Sequence, residues 1–249
     1  MAGTDTHRQP RLERCGRAGR RVALALVAAL VVLAAAAPAQ ARVVRTQRLA
    51  LLLRTHTALS APDGHARVVD VVRARRPLTG ERTNLPVLGL ARGGQGVLWL
   101  HVLLPGRPNG HTGWIRQRGT RNRWTRWAVV VDLAHRRVRV YLHGRPVETF
   151  AAVVGKTSTP TPLGRFFVEE SLRIIPGYPG GPYALALSAR SSVYQEFDGG
   201  PGQIAVHGIY GIGGTPGTAV SHGCIRLAGH DMAWLGARIH PGVPVTVVG

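Results

Sequence analysis

Ser221-His222-Gly223-Cys224-Ile225-Arg226 is the stretch on which the reading of this chain turns. A thiol attacks a carbonyl as thiolate, and a neighbouring imidazole either acts as general base or holds the pair as thiolate-imidazolium. His222 precedes Cys224 by two residues, on the same face if the segment is extended. His207 lies 17 residues upstream, at the end of Ile204-Ala205-Val206, and is followed by Gly208. A strand, a glycine-rich loop over 209–220 and a return predict His207 beside Cys224, because a catalytic set is defined by closeness in space. Ser221 offers a hydroxyl that can orient an imidazole. Gly223 leaves room for a carbonyl, and the amides of Gly223 and Cys224 are natural oxyanion donors. A lone cysteine is more often a small buried hydrophobe. Here its conjunction with two histidines, a serine and a glycine favours a nucleophile over that bland reading.

Working outward, residues 1–41 read as a signal peptide. Arg8, Arg11, Arg14, Arg17, Arg20 and Arg21 make a basic start, residues 22–37 an uncharged apolar run, and Ala39-Gln40-Ala41 a cleavage site. The apolar run is short for a bilayer span of about 20 residues, which leaves an uncleaved anchor as the alternative. Cleavage would remove Cys15 and leave Cys224 as the one thiol of an exported protein, unable to staple the chain to itself. The protein is therefore expected in the cell wall or on the extracytoplasmic face of the membrane, with the membrane touched only through an uncleaved leader.

Charge is placed unevenly. Residues 42–145 carry 20 arginines against Asp63, Asp70, Glu81 and Asp132, a net of +16, whereas residues 146–249 are neutral. A basic half fits a location near an anionic wall polymer. A solvated arginine-rich surface is the competing account, and the single lysine (Lys156) favours it. Nucleic acid is a poor partner for an exported chain with no aromatic-basic groove motif.

Short valine-rich runs and abundant glycine and proline predict many strands and few helices. In the first half, strands are expected at 68–72 and 97–102. The turn over 104–110 contains Asn109-Gly110, and 112–115 returns from it. This region, 42–120, resembles a small SH3-like β-domain of the kind appended to wall enzymes, on its Gly110-His111-Thr112-Gly113-Trp114-Ile115 ending. Residues 121–126 read as a linker. A meander follows in the domain 127–249, with strands at 128–133, 138–142 and 147–154. The stiff loop Thr159-Pro160-Thr161-Pro162-Leu163-Gly164-Arg165-Phe166 comes next. One helix is expected over 226–237, with Met232 and Leu235 on one face, and 243–248 closes as a core strand. His56, His65, His101, His111, His135 and His143 fall in turns or strand ends and read as surface histidines.

The His207-Gly208 pair, its distance from Ser221 and the Ser-His-Gly-Cys-Ile-Arg run resemble the signature of the L,D-transpeptidase catalytic-domain family. The meander and the Thr-Pro-Thr-Pro-Leu-Gly-Arg-Phe loop fit the same family. The resemblance covers about half the chain, 127–248. It implies a mainly β protein, a mixed β-sandwich with one short helix. It also implies cysteine-dependent cross-linking of peptidoglycan: a stem tetrapeptide is cut after its third residue, D-alanine leaves, and the acyl group rests on cysteine as a thioester. Transfer to the side-chain amine of a second stem makes a 3→3 cross-link. Carried onto this chain, Cys224 is the nucleophile and His207 its base. Ser221 and His222 shape the pocket, with His222 the runner-up base, and Gly223 and Cys224 supply the oxyanion hole. Gly208 belongs to the substrate-binding set. Arg226 either binds a substrate carboxylate bidentately or pins the turn at the start of the helix. Tyr183 either lines the donor groove or anchors its loop. Donor and acceptor stem peptides are the implied partners, and no cofactor is implied. Zinc on His207, His222 and Cys224 with His230 or His240 is the metal alternative, but the spacing matches no standard zinc site. Two competing functions remain: an L,D-carboxypeptidase, with water replacing the amine, and a non-catalytic wall-binding protein whose thiol is idle.

Overall fold

The computed structural model describes residues 1–3, 43–196 and 199–249. The reading of a leader and of Cys15 falls almost wholly outside the described residues. Among the described residues, no helix is long and apolar enough to cross a membrane.

Seventeen strands and one α-helix form the described chain. The first sheet takes β1 (Gln47–Leu52), β2 (His56–Leu59), β3 (Val68–Val72), β4 (Asn84–Arg92), β5 (Leu98–Leu103), β6 (Thr112–Arg116) and β7 (Thr120–Thr125), in the order β3-β2-β6-β5-β4-β1-β7. The expected strands at 68–72 and 97–102 and the return at 112–115 correspond to β3, β5 and β6.

The second sheet is mixed. It comprises β8 (Trp127–Asp132), β9 (Arg137–Leu142), β10 (Arg145–Ala151), β12 (Gly164–Arg173), β13 (Tyr183–Arg190), β14 (Gln203–Gly208), β16 (Ile225–Leu227) and β17 (Pro244–Val248). Their order is β10-β9-β8-β17-β12-β13-β14-β16. The pairs β8/β17 and β14/β16 are parallel. The short strands β11 (Val154–Gly155) and β15 (Ala219–Ser221) pair in parallel apart from the main sheets. The helix α1 (Gly229–Gly236) buries Met232 and Leu235 against the second sheet's core, as their spacing predicts. The mainly β sandwich expected from the sequence is therefore present.

Two expectations need correction. Residues 121–126 are not a free linker: β7 occupies Thr120–Thr125 and pairs with the whole length of β1. A sheet edge can be held by backbone hydrogen bonds alone, so β7 needs no alternation of apolar side chains. Its exposed Arg121 and Arg123 discourage pairing with a further strand. The helix also starts later than expected, because Ile225, Arg226 and Leu227 are strand β16, with Ile225 and Leu227 buried on one face. Among the histidines read as surface groups, His56 is only 5% exposed and its Nε2 bonds the Gly119 carbonyl.

Alternation along β12 joins the two halves. Phe166 enters the core under the second sheet, while its neighbour Phe167 enters the core of the first, with Leu85, Leu100 and Ile115. Buried charge reinforces the seam. Arg76 from the first half and Arg190 both pair with Glu169, and Glu170 accepts hydrogen bonds from the backbone of Leu78 and Thr79. Burial lowers the Arg190 pKa to about 10, so its charge persists at neutral pH. The described residues from Val43 onward form one compact unit.

Candidate active site

The parallel register of β14 on β16 sets Val206 opposite Ile225 and His207 opposite Arg226. Strand alternation sends Ile204, Val206, Ile225 and Leu227 into the core. It leaves His207 and Arg226 on the other face, and continuing the alternation back one position puts Cys224 there too. His207, His222, Cys224 and Arg226 line a single cavity of about 280 Å³, together with Tyr194 and Ser191. The strand, glycine-rich loop and return read from the sequence thus bring His207 and Cys224 into one pocket.

His207 is held by its neighbour's backbone. Its Nδ1 lies 2.8 Å from the Gly208 carbonyl oxygen. A carbonyl can only accept, so Nδ1 carries the proton, and the neutral ring's Nε2 keeps its lone pair for a base's work. Burial is the main cause that lowers the His207 pKa below the ordinary 6.5. The Gly208 bond opposes that shift and the Arg226 charge adds to it. Burial likewise raises the Cys224 thiol above its ordinary value, against a backbone hydrogen bond from Ala205 and the nearby Arg226 charge. Both dominant shifts favour neutral groups. The resting site is a thiol beside an imidazole, and the reading as a preformed ion pair is the less favoured of the two.

Gly208 works through His207. Its amide donates to the Gly180 carbonyl and its own carbonyl receives His207. A Cβ at this position would overlap the Gly181 carbonyl oxygen. Among the described contacts, Gly208 acts on the site through His207.

The turn carrying Cys224 is tied internally. Ser221 is fully buried, and its hydroxyl donates to the Cys224 carbonyl at 2.6 Å. The same oxygen accepts from the Gly223 amide at 3.1 Å. Ser221 therefore shapes the turn, with its proton committed to the Cys224 carbonyl. The Gly223 N–H is already engaged, which leaves the Cys224 amide as the remaining oxyanion donor of the expected two. Gly223 has φ of +114°, a conformation for which a residue without Cβ is needed.

The loop read only as stiff turns out to buttress this turn. Thr159 Oγ1 donates to the Ser221 carbonyl at 3.1 Å, and Thr161 Oγ1 donates to the Gly223 carbonyl at 2.8 Å. Thr161 also accepts from the Gly155 amide at 3.0 Å. Both threonines are buried, and the Pro160 between them limits the backbone's alternatives. Sequence reasoning missed their part; the signal available was a pair of threonines spaced by proline within the stiff loop. Thr161→Val is expected to lower stability by about 2 kcal/mol, because a buried carbonyl and amide both lose their partner. Thr161→Ser should retain most of it. Thermal unfolding decides, and an unchanged Tm in the valine variant would remove Thr161 from this role.

The remaining candidates are distributed as follows. His222 is exposed at the cavity and meets Tyr194 edge to face, with ring centroids 6.0 Å apart. Arg226 spans the cavity's edge, its Nη1 donating to the Gly213 carbonyl at 3.2 Å, which ties the 209–218 loop to β16. Its buried Nε has no hydrogen-bond partner. Arg226 thus pins the loop, in line with one of its two readings, but from a strand and not from a helix. Tyr183 does not line the Cys224 cavity. Its ring packs on Gly236 of α1 and faces a separate groove of about 820 Å³ with Tyr178 and Tyr210. The packing on Gly236 fits the anchoring role, and the groove it lines is separate from the Cys224 cavity. Among the described residues, no three of His, Cys, Asp and Glu are grouped to hold a metal ion.

Comparison with known proteins gives a consistent result. Residues 126–247 match the L,D-transpeptidase catalytic domain (YkuD) family. The YkuD protein of Bacillus subtilis, assigned as an L,D-transpeptidase, is 28% identical over 151 residues, which cover 59% of this chain and 73% of that protein. Its Bacillus licheniformis counterpart is 32% identical over 126 residues, covering 49% of this chain and 65% of that protein. The crystal structure of an L,D-transpeptidase from Mycobacterium tuberculosis H37Rv is 19% identical, covers 66% of this chain and 98% of its own, and has a TM-score of 0.41.

Proposed function

Residues 126–247 match the L,D-transpeptidase catalytic-domain family, and on that footing we propose that the chain is a member and cross-links peptidoglycan stems through a thioester on Cys224. The observation that carries this reading is the shared cavity of Cys224 and His207, with the His207 ring fixed so that Nε2 is its free basic nitrogen.

As the donor carbonyl arrives, the Cys224 proton passes to His207 Nε2 while Sγ bonds to the carbonyl carbon. The oxyanion is stabilised by the Cys224 amide. Collapse breaks the bond to D-alanine, whose amine takes the proton from His207. The diamino acid's side-chain amine of a second stem then attacks the thioester. Its proton returns through His207 to the departing thiolate, and the stems are joined 3→3. Gly208 holds His207, Ser221 and Gly223 hold the turn, and Arg226 holds the 209–218 loop at the mouth. His222 and Tyr194 contact the substrate at the cavity wall. We place the protein outside the cytoplasm, after export on the 1–41 leader, with the basic first half near anionic wall polymers.

The experiment uses the reduced protein with a disaccharide-tetrapeptide and product analysis by mass spectrometry. A dimer lacking one D-alanine is the expected product. Tripeptide without dimer would replace the reading by a carboxypeptidase, and salt-sensitive wall binding without any product would replace it by a wall-binding protein.

The pH dependence follows from the two shifted groups. The His207 pKa is lowered, so its ring stays neutral and basic at pH 6.5 and protonates only below it. The Cys224 pKa is raised, so the thiol stays protonated past the ordinary thiol range. The expected profile of kcat/KM is a plateau through neutrality, with its acid limb below pH 6.5 and its alkaline limb above 9.0. An acid limb between pH 7 and 8 would contradict the assignment of His207 as the base. The same shift makes stability fall as pH drops below 6.5, since the unfolded chain then binds the extra proton more readily.

A further inference from the structure

One wall of the Cys224 cavity comes from the segment between β13 and β14, through Ser191, Tyr194 and Gly202. Its described residues, 191–196 and 199–202, have little regular structure of their own, and much of what secures them comes from the turn between β5 and β6. Arg107, in the turn between β5 and β6, donates from Nη2 to the carbonyls of Ser191 at 2.9 Å and Tyr194 at 2.8 Å. From Nη1 it donates to the Pro201 carbonyl at 2.9 Å. One planar guanidinium thus clamps the outgoing and the returning limb of the segment together. Asn109, from the same turn, exchanges two hydrogen bonds of 2.8 Å with the backbone of Arg190, one as donor and one as acceptor. The Gly106 amide adds a bond to the Ser188 carbonyl at 3.2 Å. Inside the segment, the Ser191 hydroxyl accepts from the amides of Val193 and Tyr194, and Tyr194 meets His222 beside Cys224.

We propose that Arg107 and Asn109 are positioning residues of the active site. They hold the 190–202 segment so that Ser191 and Tyr194 stand at fixed places in the cavity that receives the substrate. The first half is then part of the catalytic apparatus and not only an anchor to the wall. Arginine suits this role, because any donor can grip one carbonyl, whereas three carbonyls on two limbs need a rigid, forked cation. A substrate bound against an ordered wall loses less freedom at the interface than one that must order the wall as it binds. The inference rests on the reading of Cys224 and His207 as the reacting pair.

The test uses the full chain carrying Arg107→Ala, Arg107→Lys or Asn109→Ala, with Arg48→Ala as a control. Arg48 sits in the first sheet and bonds only the exposed Asn122 side chain. D-alanine release from a tetrapeptide gives kcat and KM, and hydrogen exchange followed by mass spectrometry gives local opening. Arg107→Ala is expected to raise KM about tenfold with kcat within about twofold. Amide exchange in 191–196 should accelerate about tenfold or more while exchange in 225–227 is unchanged. Arg107→Lys should fall between this variant and the parent, because an ammonium keeps the charge and loses the fork. Asn109→Ala should show the same pattern more weakly, and Arg48→Ala no change. A fall of kcat in step with the folded fraction, at constant KM, would reduce Arg107 to a stabilising residue and overturn the proposal. So would unchanged KM and unchanged exchange. If the parent protein released no D-alanine, the catalytic reading would fail by itself, and the exchange pattern would still decide whether Arg107 holds the segment.

Discussion

Cys224→Ala is expected to abolish D-alanine release, by a factor on the order of 10⁴ or more, while leaving the fold intact. The effect is this large because, among the described residues, no other thiol can take over the covalent step. Cys224 is the free thiol of the described chain, and the Ser221 hydroxyl is committed within the turn. When one member of a nucleophile-base pair is removed, what survives is the modest contribution of binding and oxyanion stabilisation. The fold should tolerate the change, since the Ser221 hydroxyl, Thr159 and Thr161 anchor the turn and the sulfur adds only the Ala205 backbone bond. Circular dichroism and thermal unfolding would verify an unaltered fold beside the lost turnover. Retained turnover in this variant would end the thioester mechanism.

Gly208→Ala should be nearly as damaging, for a different reason. The new methyl group would overlap the Gly181 carbonyl oxygen, a backbone atom with no side chain to swing away. The cost comes as overpacking of about 1–3 kcal/mol, read as a lower Tm. Relief requires β14 to move off the 180–181 turn, which breaks the Gly208 amide's bond to Gly180 and shifts the carbonyl that orients His207. Turnover should fall by about 10²-fold or more, with a larger loss in kcat than in the affinity for the stem, because a base misplaced by about an ångström is no longer in reach of the thiol. A variant with normal kcat would show that the Gly208 carbonyl does not set the His207 ring.

The parts of this protein that are legible in the sequence are those where a side chain's identity is dictated by chemistry or by alternation. Cys224 and His207 stand out by residue type and spacing. The strands β3 and β8 do so as short valine-rich runs, β5 and β9 by alternation along their length, and α1 by Met232 and Leu235 on one face. What escapes is held by other means. Strand β7 is an edge whose partner is backbone, so its run of arginine and asparagine looks like a linker. Strand β13 contains Ala184-Leu185-Ala186-Leu187, a composition equally at home in a helix, and only its position between β12 and β14 makes it a strand. Arg226 falls within the expected helix over 226–237, which the shared face of Met232 and Leu235 suggests. The parallel pairing with β14, which spans a loop, decides otherwise.

The site shows the same division. The reacting groups are readable; their supports are not. Thr159, Thr161, Gly208 and Arg107 act through backbone carbonyls and amides, most of them far away in sequence, and backbone partners leave no trace in residue type. Gly223 reads as a residue needed for space, yet the space serves its own φ of +114°, and its amide serves Ser221. Tyr183 is ambiguous in sequence between groove and anchor, and in the structure its ring both packs on Gly236 and lines a groove apart from the Cys224 cavity.

The central claim is that Cys224 carries the acyl group between two stems. Intact-protein mass spectrometry during turnover, with the reduced protein and a disaccharide-tetrapeptide, addresses it directly. The account predicts a transient adduct equal to the donor stem less D-alanine, located on Cys224 by peptide mapping and discharged when an acceptor amine is added. An adduct mapped elsewhere, or dimer formation with no adduct even when the acceptor is withheld, would contradict it.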